Sequence, residues 1–516
     1  MAAPTGVAQK RYEVLSSIRD PYLRRARDAA KLTIPALMPP NGSTGSTEFY
    51  TPFQSVGAEG VNTLAAKLNL TLFPPNRPPM KLGLPAKMAV ELEQGGDKGA
   101  KLKGELEATL ALIEQHAVKE MESHHLRTPL FEAFRQLIAA GNVLIHADDE
   151  LRLRVFKLDQ YVTRRTPKGD LLELVVREEI APELIPEGVR ADAGYKAVET
   201  EHSIPLFTHI KREFDQYRVY QEALGHVVPG TEGSYPLDYL PWYALRWRRM
   251  DGEHFGRGHI EEYIGDLSSL EGLSQAVVEG SQAAAKMITL VAPNGQTNQR
   301  DIAEAPNLAV RPGRKEDVTT VTADKYGDFR VAMETSDKIE RRLSRAFLLT
   351  SSVTRDAERV TAEEIKLLAA DLEDALGGVY SLLATDLQLP VVRFVLRTLT
   401  LRGELPPLPQ GISLTVTAGM EALGRGVSLN QWMTFASVMQ RVVGPEAFMA
   451  VVDQRAFANE IGADIGVNIK RILKSPEQIA AEQNQARLDA RQAALGPAAI
   501  QANAKLDEAA LQQKNQ

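Results

Sequence analysis

Between Ser268 and Ala285 the chain reads SSLEGLSQAVVEGSQAAA, a stretch of helical composition in which serine, glycine and alanine hold most positions. A surface helix is normally held to its domain by a bulky apolar stripe, and this stretch lacks one. Two arrangements are open to it. It is buried tightly within one domain, or it packs side by side with copies of itself, where small residues let backbones approach. Gly272, Gly280 and Ala284 are the candidate contact positions of the second arrangement.

The rest of the composition bounds the function. With 516 residues, 44% hydrophobic and 25% charged, the chain is long enough for several compact units. A net charge of −7 gives no global attraction to nucleic acid, so any such contact must come from local basic groups. There is no cysteine, which excludes disulfides, thiolate metal ligands and a thiol nucleophile. The first residues, MAAPTGVAQKRYEV, lack the apolar core of a signal peptide. No stretch is read as a membrane span, so the expectation is a soluble chain of intracellular origin.

Periodicity predicts an α+β first half and a mainly α second half. Residues 8–38 read as helix, with Asp20-Pro21 expected to cap and open a second segment. Further helices are expected over 53–73, 100–122 and 129–141, the last ending at Gly141. Strands are expected over 143–158, 170–180, 204–210, 216–222 and 241–249. A long helix at 260–291 carries the small-residue run. A strand-prone insert, 292–329, separates it from a helix at 331–349, and Thr361–Leu401 reads as one long helix. Within that helix Gly377-Gly378 predicts a bend or a close approach, because two glycines cost about 2 kcal/mol against alanine. A strand is expected at 412–417. Ser428 with Gln431, and Ser475-Pro476-Glu477-Gln478, read as helix starts. Beyond Gln483 the chain is Ala/Gln/Asn-rich, and either a thin amphipathic helix or disorder fits it.

No residue pattern makes a case for catalysis or for a cofactor. The chain holds no G-x-x-x-x-G-K-[ST], no G-x-G-x-x-G after a strand and no G-x-S-x-G. GGDKGAK (95–101) reads as a loop between helices. His124-His125 point to different faces of a helix and read as surface histidines, so no metal site is expected. His254 and His259-Ile260-Glu261-Glu262 lack the H-E-x-x-H spacing. Asp148-Asp149-Glu150 reads as a solvated turn. Two basic features remain. RPGRK, with Arg311, Arg314 and Lys315, is either a solvated loop or a contact surface. LTSSVTRDAER, after Phe347, is small and polar, with Ser351, Ser352, Thr354, Arg355 and Arg359, and Thr361 with Glu364 caps the helix that follows.

Taken in order, the segments RRARDAAKLTIPALMP (24–39), YTPFQSVGAEGVNTLAAKLNLTLFP (50–74), LFEAFRQLIAAGNVLIH (130–146), RMDGEHFGRGHIEEYIGDLSSLE (249–271), ERVTAEEIKLLAADLEDALGGVYSLLATDLQLPVVRFVL (358–396) and TAGMEALGRG (417–426) closely resemble the head-to-tail connector, or portal, proteins of T7-like tailed phages. The resemblance spans residues 11 to 475. It implies a portal-type subunit that assembles into a ring, typically of about twelve copies, around a DNA channel at one capsid vertex. The implied parts are a wing at 1–262, stem helices at 263–292 and 331–348 and a clip at 293–330. A tunnel loop at 349–360, a long wing helix with a return strand at 361–427, and a crown with its tail at 428–516 complete the set. Arg311, Arg314 and Lys315 would then dock the tail, and Ser351, Ser352, Thr354, Arg355 and Arg359 would line the channel. The alternative for Arg355 and Arg359 is pairing with Asp356 and Glu358 inside the ring.

The implied partners are double-stranded DNA read without sequence, capsid and scaffolding proteins, a terminase, tail adaptors and internal core proteins, with no membrane. The implied location is the virion, after assembly in the host cytoplasm. Two other classes stay open on the residues alone: a helical scaffold or adaptor without a channel, and a nucleic-acid-processing enzyme with scattered site residues.

Overall fold

The computed structural model describes residues 6–75, 78–195, 203–285, 288–306, 309–321, 326–349, 362–405, 415–417 and 425–444, with a few isolated positions beyond. The chain divides into two compact units, Met1–Gly424 and Arg425–Gln516.

The first unit opens with α1 (Val7–Lys31), α2 (Val56–Leu72), β1 (Lys81–Gly83), α3 (Ala86–Gln94), α4 (Gly96–Ser123) and α5 (Arg127–Ala140). An antiparallel region follows: β2 (Asn142–Ala147), β3 (Leu153–Phe156), β4 (Tyr161–Arg165), β5 (Leu171–Ile180), α6 (Glu187–Asp192), β6 (Ile204–Glu213), β7 (Gln216–Ala223), β8 (His226–Val227), β9 (Gly233–Pro236) and β10 (Trp242–Arg246). Then come α7 (His259–Ala285), β11 (Ile288–Val291), α8 (Gln299–Ala303), β12 (Val318–Val321) and α9 (Tyr326–Ala346). The unit closes with α10 (Ala362–Leu376), α11 (Val379–Leu383), α12 (Leu389–Leu401) and β13 (Thr415–Thr417). The second unit holds α13 (Arg425–Val443).

The larger sheet runs β4-β5-β6-β7-β8 with β9 also on β7, and a second runs β10-β2-β3. All their pairings are antiparallel. The main core joins α2 and α5 through Val61, Leu64, Leu68, Phe134, Leu137 and Ile138, all fully buried. A satellite core of Tyr12, Leu15, Val162, Val175 and Phe207 seats α1 on the larger sheet. Its polar edge is tied as well. The buried carboxylate of Glu222 accepts the Ala8 and Gln9 amides at 3.0 and 3.1 Å, which satisfies donors that every helix start leaves open. Arg11 clamps Glu173 with two bonds, and His209 Nε2 lies 3.0 Å from the same carboxylate.

Several expectations are corrected. α1 runs through Pro21 without a second start. An interior proline costs a helix about 3 kcal/mol or more, but both halves of α1 are anchored. Arg19 donates to the Asp159 carbonyl on one side, and Leu23 and Ala26 enter the main core on the other. GGDKGAK is not a loop: Gly95 ends α3 and α4 begins at Gly96, whose φ is +61°. Helix α13 begins at Arg425, ahead of the expected cap at Ser428. The helix expected over 361–401 is broken. Gly377 and Gly378 both have positive φ, +58° and +86°, and a Cβ on either would meet nothing within 4 Å. The pair therefore serves conformation rather than close packing. A π turn at Ala384–Gln388 follows, and it turns Gln388 inward, where Nε2 donates to the Leu72 and Pro79 carbonyls. Residues 288–291 are strand rather than helix, because Ile288-Thr289-Leu290-Val291 pairs with Val318–Val321. Residues 326–330 belong to α9 rather than to the insert.

One segment, Val379–Leu401, is long and apolar enough to match a membrane span by composition, contrary to expectation. In the fold its Val391, Val392, Phe394, Val395 and Leu399 are core residues.

Candidate ring-packing and channel elements

Helices α7 and α9 form an antiparallel pair. His259 lies against Ala346 at one end, and Asp266 pairs with Arg342 at 2.7 Å one step further along. The base of the pair is held firmly. Phe347, just past α9, is fully buried and packs edge-on to His259. It reaches α2 because residue 60 is glycine: a Cβ there would sit 2.6 Å from Phe347 Cδ2. His259 Nε2 donates to the Ala346 carbonyl at 3.1 Å, and burial holds its imidazole down at about 4. Lys67, on α2, donates from Nζ to the Leu348 carbonyl at 2.5 Å; burial lowers its pKa. Gly141 and Gly258 let the end of α5 and the lead-in to α7 cross at the same base, since a Cβ on Gly258 would lie 2.7 Å from the Ala139 carbonyl. Asn142 staples that crossing by bonding both the Gly256 carbonyl and its amide, at 2.8 and 2.7 Å.

Beyond the base the pair changes character. Among the described residues, the buried ones of α7 are confined to its first half, with Ile260, Leu267 and Leu270. Ser268, Ser269, Gly272, Ala276 and Ser281 are exposed, Val278 is 39% exposed and Gly280 is half-buried. A Cβ on Gly272 would meet open space. Ala284 lies in the helix, but its side chain is outside the described residues. On α9, Ile339 and Leu343 are buried, whereas Val331 and Met333 are 62% and 57% exposed.

The insert between these helices is a hairpin-like piece built on β11 and β12. Its interior tie is Thr297, which is buried, donates from Oγ1 to Asp317 at 3.0 Å and accepts the Arg314 amide at 2.9 Å. That tie fixes the backbone of RPGRK, while Arg311, Arg314 and Lys315 are all exposed. Ser351, Ser352, Thr354, Arg355 and Arg359, with the Thr361 cap, lie outside the described residues. So does the helix start expected at Ser475.

Other expected sites find ordinary roles. Asp148-Asp149-Glu150 is a turn in which Asp148 Oδ1 accepts the Glu150 and Arg152 amides. A cleft of about 390 Å³ in the first unit is lined by Arg165, Arg249, Arg393, Tyr239, Trp242 and Asp386, among others. The Arg165 guanidinium there donates to the carbonyls of Gly169, Ala244 and His254. Burial and the nearby Arg246 hold it down at about 10. Reading the sequence missed Lys67 and the anchoring role of His259; a lysine within the apolar run of α2 was the available signal.

A family model described as bacteriophage head to tail connecting protein matches residues 5–473. This chain belongs to that family. Among curated relatives, the portal protein of Escherichia phage T7 is 38% identical over 95% of this chain and 92% of its own length. That of Enterobacteria phage T3 is 38% identical over 89% and 87%, and that of Enterobacteria phage SP6 is 30% identical over 92% and 91%. Portal function is common to these relatives, and family membership extends it to this connector. A solved chain from the neck of a native gene transfer agent particle aligns with TM-score 0.31 at 12% identity, over 74% of this chain and 85% of that one. A likeness that distant carries no argument.

Proposed function

We propose that copies of this connector close into a ring at one capsid vertex, and that double-stranded DNA passes through the central channel during packaging and ejection. The observation that carries the reading is the state of α7 and α9. Their bases are locked into the core, while their far halves leave small and apolar side chains uncovered in a single subunit. Neighbouring copies are the natural cover, because small residues at Ser268–Ala285 permit close approach of helices. On this reading α7 and α9 are the stem, the insert between them is the clip, residues 1–262 form the wing and 428–516 the crown. The protein acts as a conduit and docking platform rather than as an enzyme. A terminase supplies the packaging energy, tail adaptors dock at the clip, and capsid, scaffolding and internal core proteins surround the ring, which is assembled in the host cytoplasm.

The segment 349–360 leaves the base formed by Phe347 and Leu348 and faces the bore. Arg355 and Arg359, repeated around the ring, present positive collars to a duplex that carries one charge per about 1.7 Å. Phosphate contacts carry no sequence information, as a conduit requires. They must be weak, since twelve pairs at about 0.5 kcal/mol each would total about 6 kcal/mol and brake sliding. Asp356 and Glu358 temper that grip.

The test is packaged DNA per head for Arg355→Ala/Arg359→Ala across a salt series. Rings should form normally, and heads should hold less DNA, most clearly at high salt, where the remaining phosphate contacts are screened. Loss that is already complete at low salt would assign the arginines to holding the loop through Asp356 and Glu358. Wild-type packing throughout would remove both residues from the channel. An annular particle with a central hole in negative stain separates the ring from a channel-free scaffold.

A further inference from the structure

We infer that His116, Glu120 and Glu404 form a binding site for a divalent transition-metal ion of the zinc class, which staples α4 to the end of α12. The three residues each offer a ligand atom, and these atoms lie within 4.8 Å of one another. His116 and Glu120 stand four residues apart on α4 and so share one face. Glu404 comes from a different element but is equally well placed. It closes the C-terminal turn of α12, where its amide bonds the Leu399 carbonyl at 3.0 Å and Gly403 takes a φ of +71°. That is the bonding of a Schellman ending, a rigid one.

The spacing suits an ion better than a direct contact. His116 Nε2 is 3.8 Å from Glu404 Oε2, too far for a hydrogen bond. The same Nε2 is buried and has no hydrogen-bond partner. A buried polar atom without a partner calls for an explanation, and a metal supplies one. Tetrahedral zinc with bonds of about 2.0–2.1 Å holds its ligand atoms about 3.3 Å apart, so modest rotamer adjustments bring this set together. The donor chemistry also fits. One neutral imidazole and two carboxylates balance a double charge, and imidazole favours a transition metal over magnesium or calcium. His124 Nε2 lies 3.7 Å from Glu120 Oε2, beyond hydrogen-bond length, and Ser123 Oγ bonds the Glu120 carbonyl at 3.0 Å. His116, Glu120 and His124 fall at i, i+4 and i+8, a spacing hidden from any reading of His124-His125 as an adjacent pair.

The experiment uses the full-length assembled protein, stripped with EDTA and dialysed. Zinc is titrated by calorimetry, and cobalt serves as an absorption probe of tetrahedral geometry. Saturable uptake of one zinc per subunit, undiminished by excess magnesium, and an intense cobalt band are expected. Glu404→Gln, an isosteric change at an exposed position, should weaken zinc at least about tenfold. His116→Ala should remove the cobalt band, while His226→Ala, on β8, should bind as the wild type does. Absence of saturable uptake overturns the site, as does equal affinity in wild type and Glu404→Gln. Because Glu404→Gln spares the helix packing, misfolding of His116→Ala leaves that comparison decisive.

Discussion

Phe347 should be energetically coupled to Gly60, and the coupling can be worked out from their contact. Phe347 is fully buried between α2 and the rings of His259 and Tyr263. Its truncation to alanine should cost about 3–5 kcal/mol, the usual range for a core phenylalanine. Gly60→Ala places a methyl 2.6 Å from Phe347 Cδ2, and the ring cannot retreat because His259 and Tyr263 back it. Overpacking of this kind costs about 1–3 kcal/mol, against which alanine returns about 1 kcal/mol of helix propensity. In the double variant the methyl enters space the ring has vacated, so the clash vanishes and the propensity gain remains. Phe347→Ala/Gly60→Ala should therefore be about 1 kcal/mol more stable than Phe347→Ala alone, with a coupling of about 2 kcal/mol over the cycle. Urea unfolding followed by tryptophan fluorescence reads this directly, since Trp247 is fully buried with its ring 5.6 Å from that of His259. Additivity within about 0.5 kcal/mol, or a double variant weaker than Phe347→Ala, would refute the packing account of how the stem base is anchored.

Acid should weaken the first unit well above the carboxylate range. Burial holds His259 and His146 at about 4 each, with a minor push from Arg248 and Arg154 respectively. The unfolded chain takes up these protons near pH 6.5, so the stability is complete above about 6.5 and is lost as pH falls toward about 4. Each group accounts for up to about 3 kcal/mol. Glu173 lies outside that window: burial opposes its ionisation, but hydrogen bonds from Arg11 and His209 hold it at about 2. His259→Gln, which keeps a donor for the Ala346 carbonyl, should shrink the drop in Tm between pH 7 and pH 5, and an unchanged drop would acquit His259. Gly280→Leu should impair ring assembly through overpacking of about 1–3 kcal/mol at every interface; size exclusion with light scattering is the measurement, and normal rings would count against stem packing there. Replacement of Arg311, Arg314 and Lys315 by alanine should leave rings intact and reduce tail attachment, scored by the fraction of filled heads that gain tails; unimpaired attachment would end the docking role of RPGRK.

The order of helices and strands was legible in the sequence because it rests on local periodicity. The 3.6-residue spacing of α2 and α5 and the alternation of β5 and β6 need no distant partner to be recognised, and Gly141 announced the end of α5. The small-residue run from Ser268 to Ala285 likewise marked α7 as a helix without a bulky stripe, and colinear segments from 11 to 475 carried the family. What lay beyond the sequence depends on contacts distant along the chain. Pro21 could be absorbed into α1 only because Asp159 and the main core hold the helix on both sides of it. Ile288–Val291 leaves the helical run because Val318–Val321 lies beside it. The anchoring of Phe347 requires an absent side chain at Gly60, 287 positions away, and Lys67 finds its acceptor on Leu348 from the other side of the core. His116 and Glu404 share no periodicity at all. Local spacing determines which elements form, because backbone geometry repeats over a few residues. Which elements meet is decided by burial and hydrogen-bond satisfaction across the whole fold, and these become visible only when the chain has closed on itself.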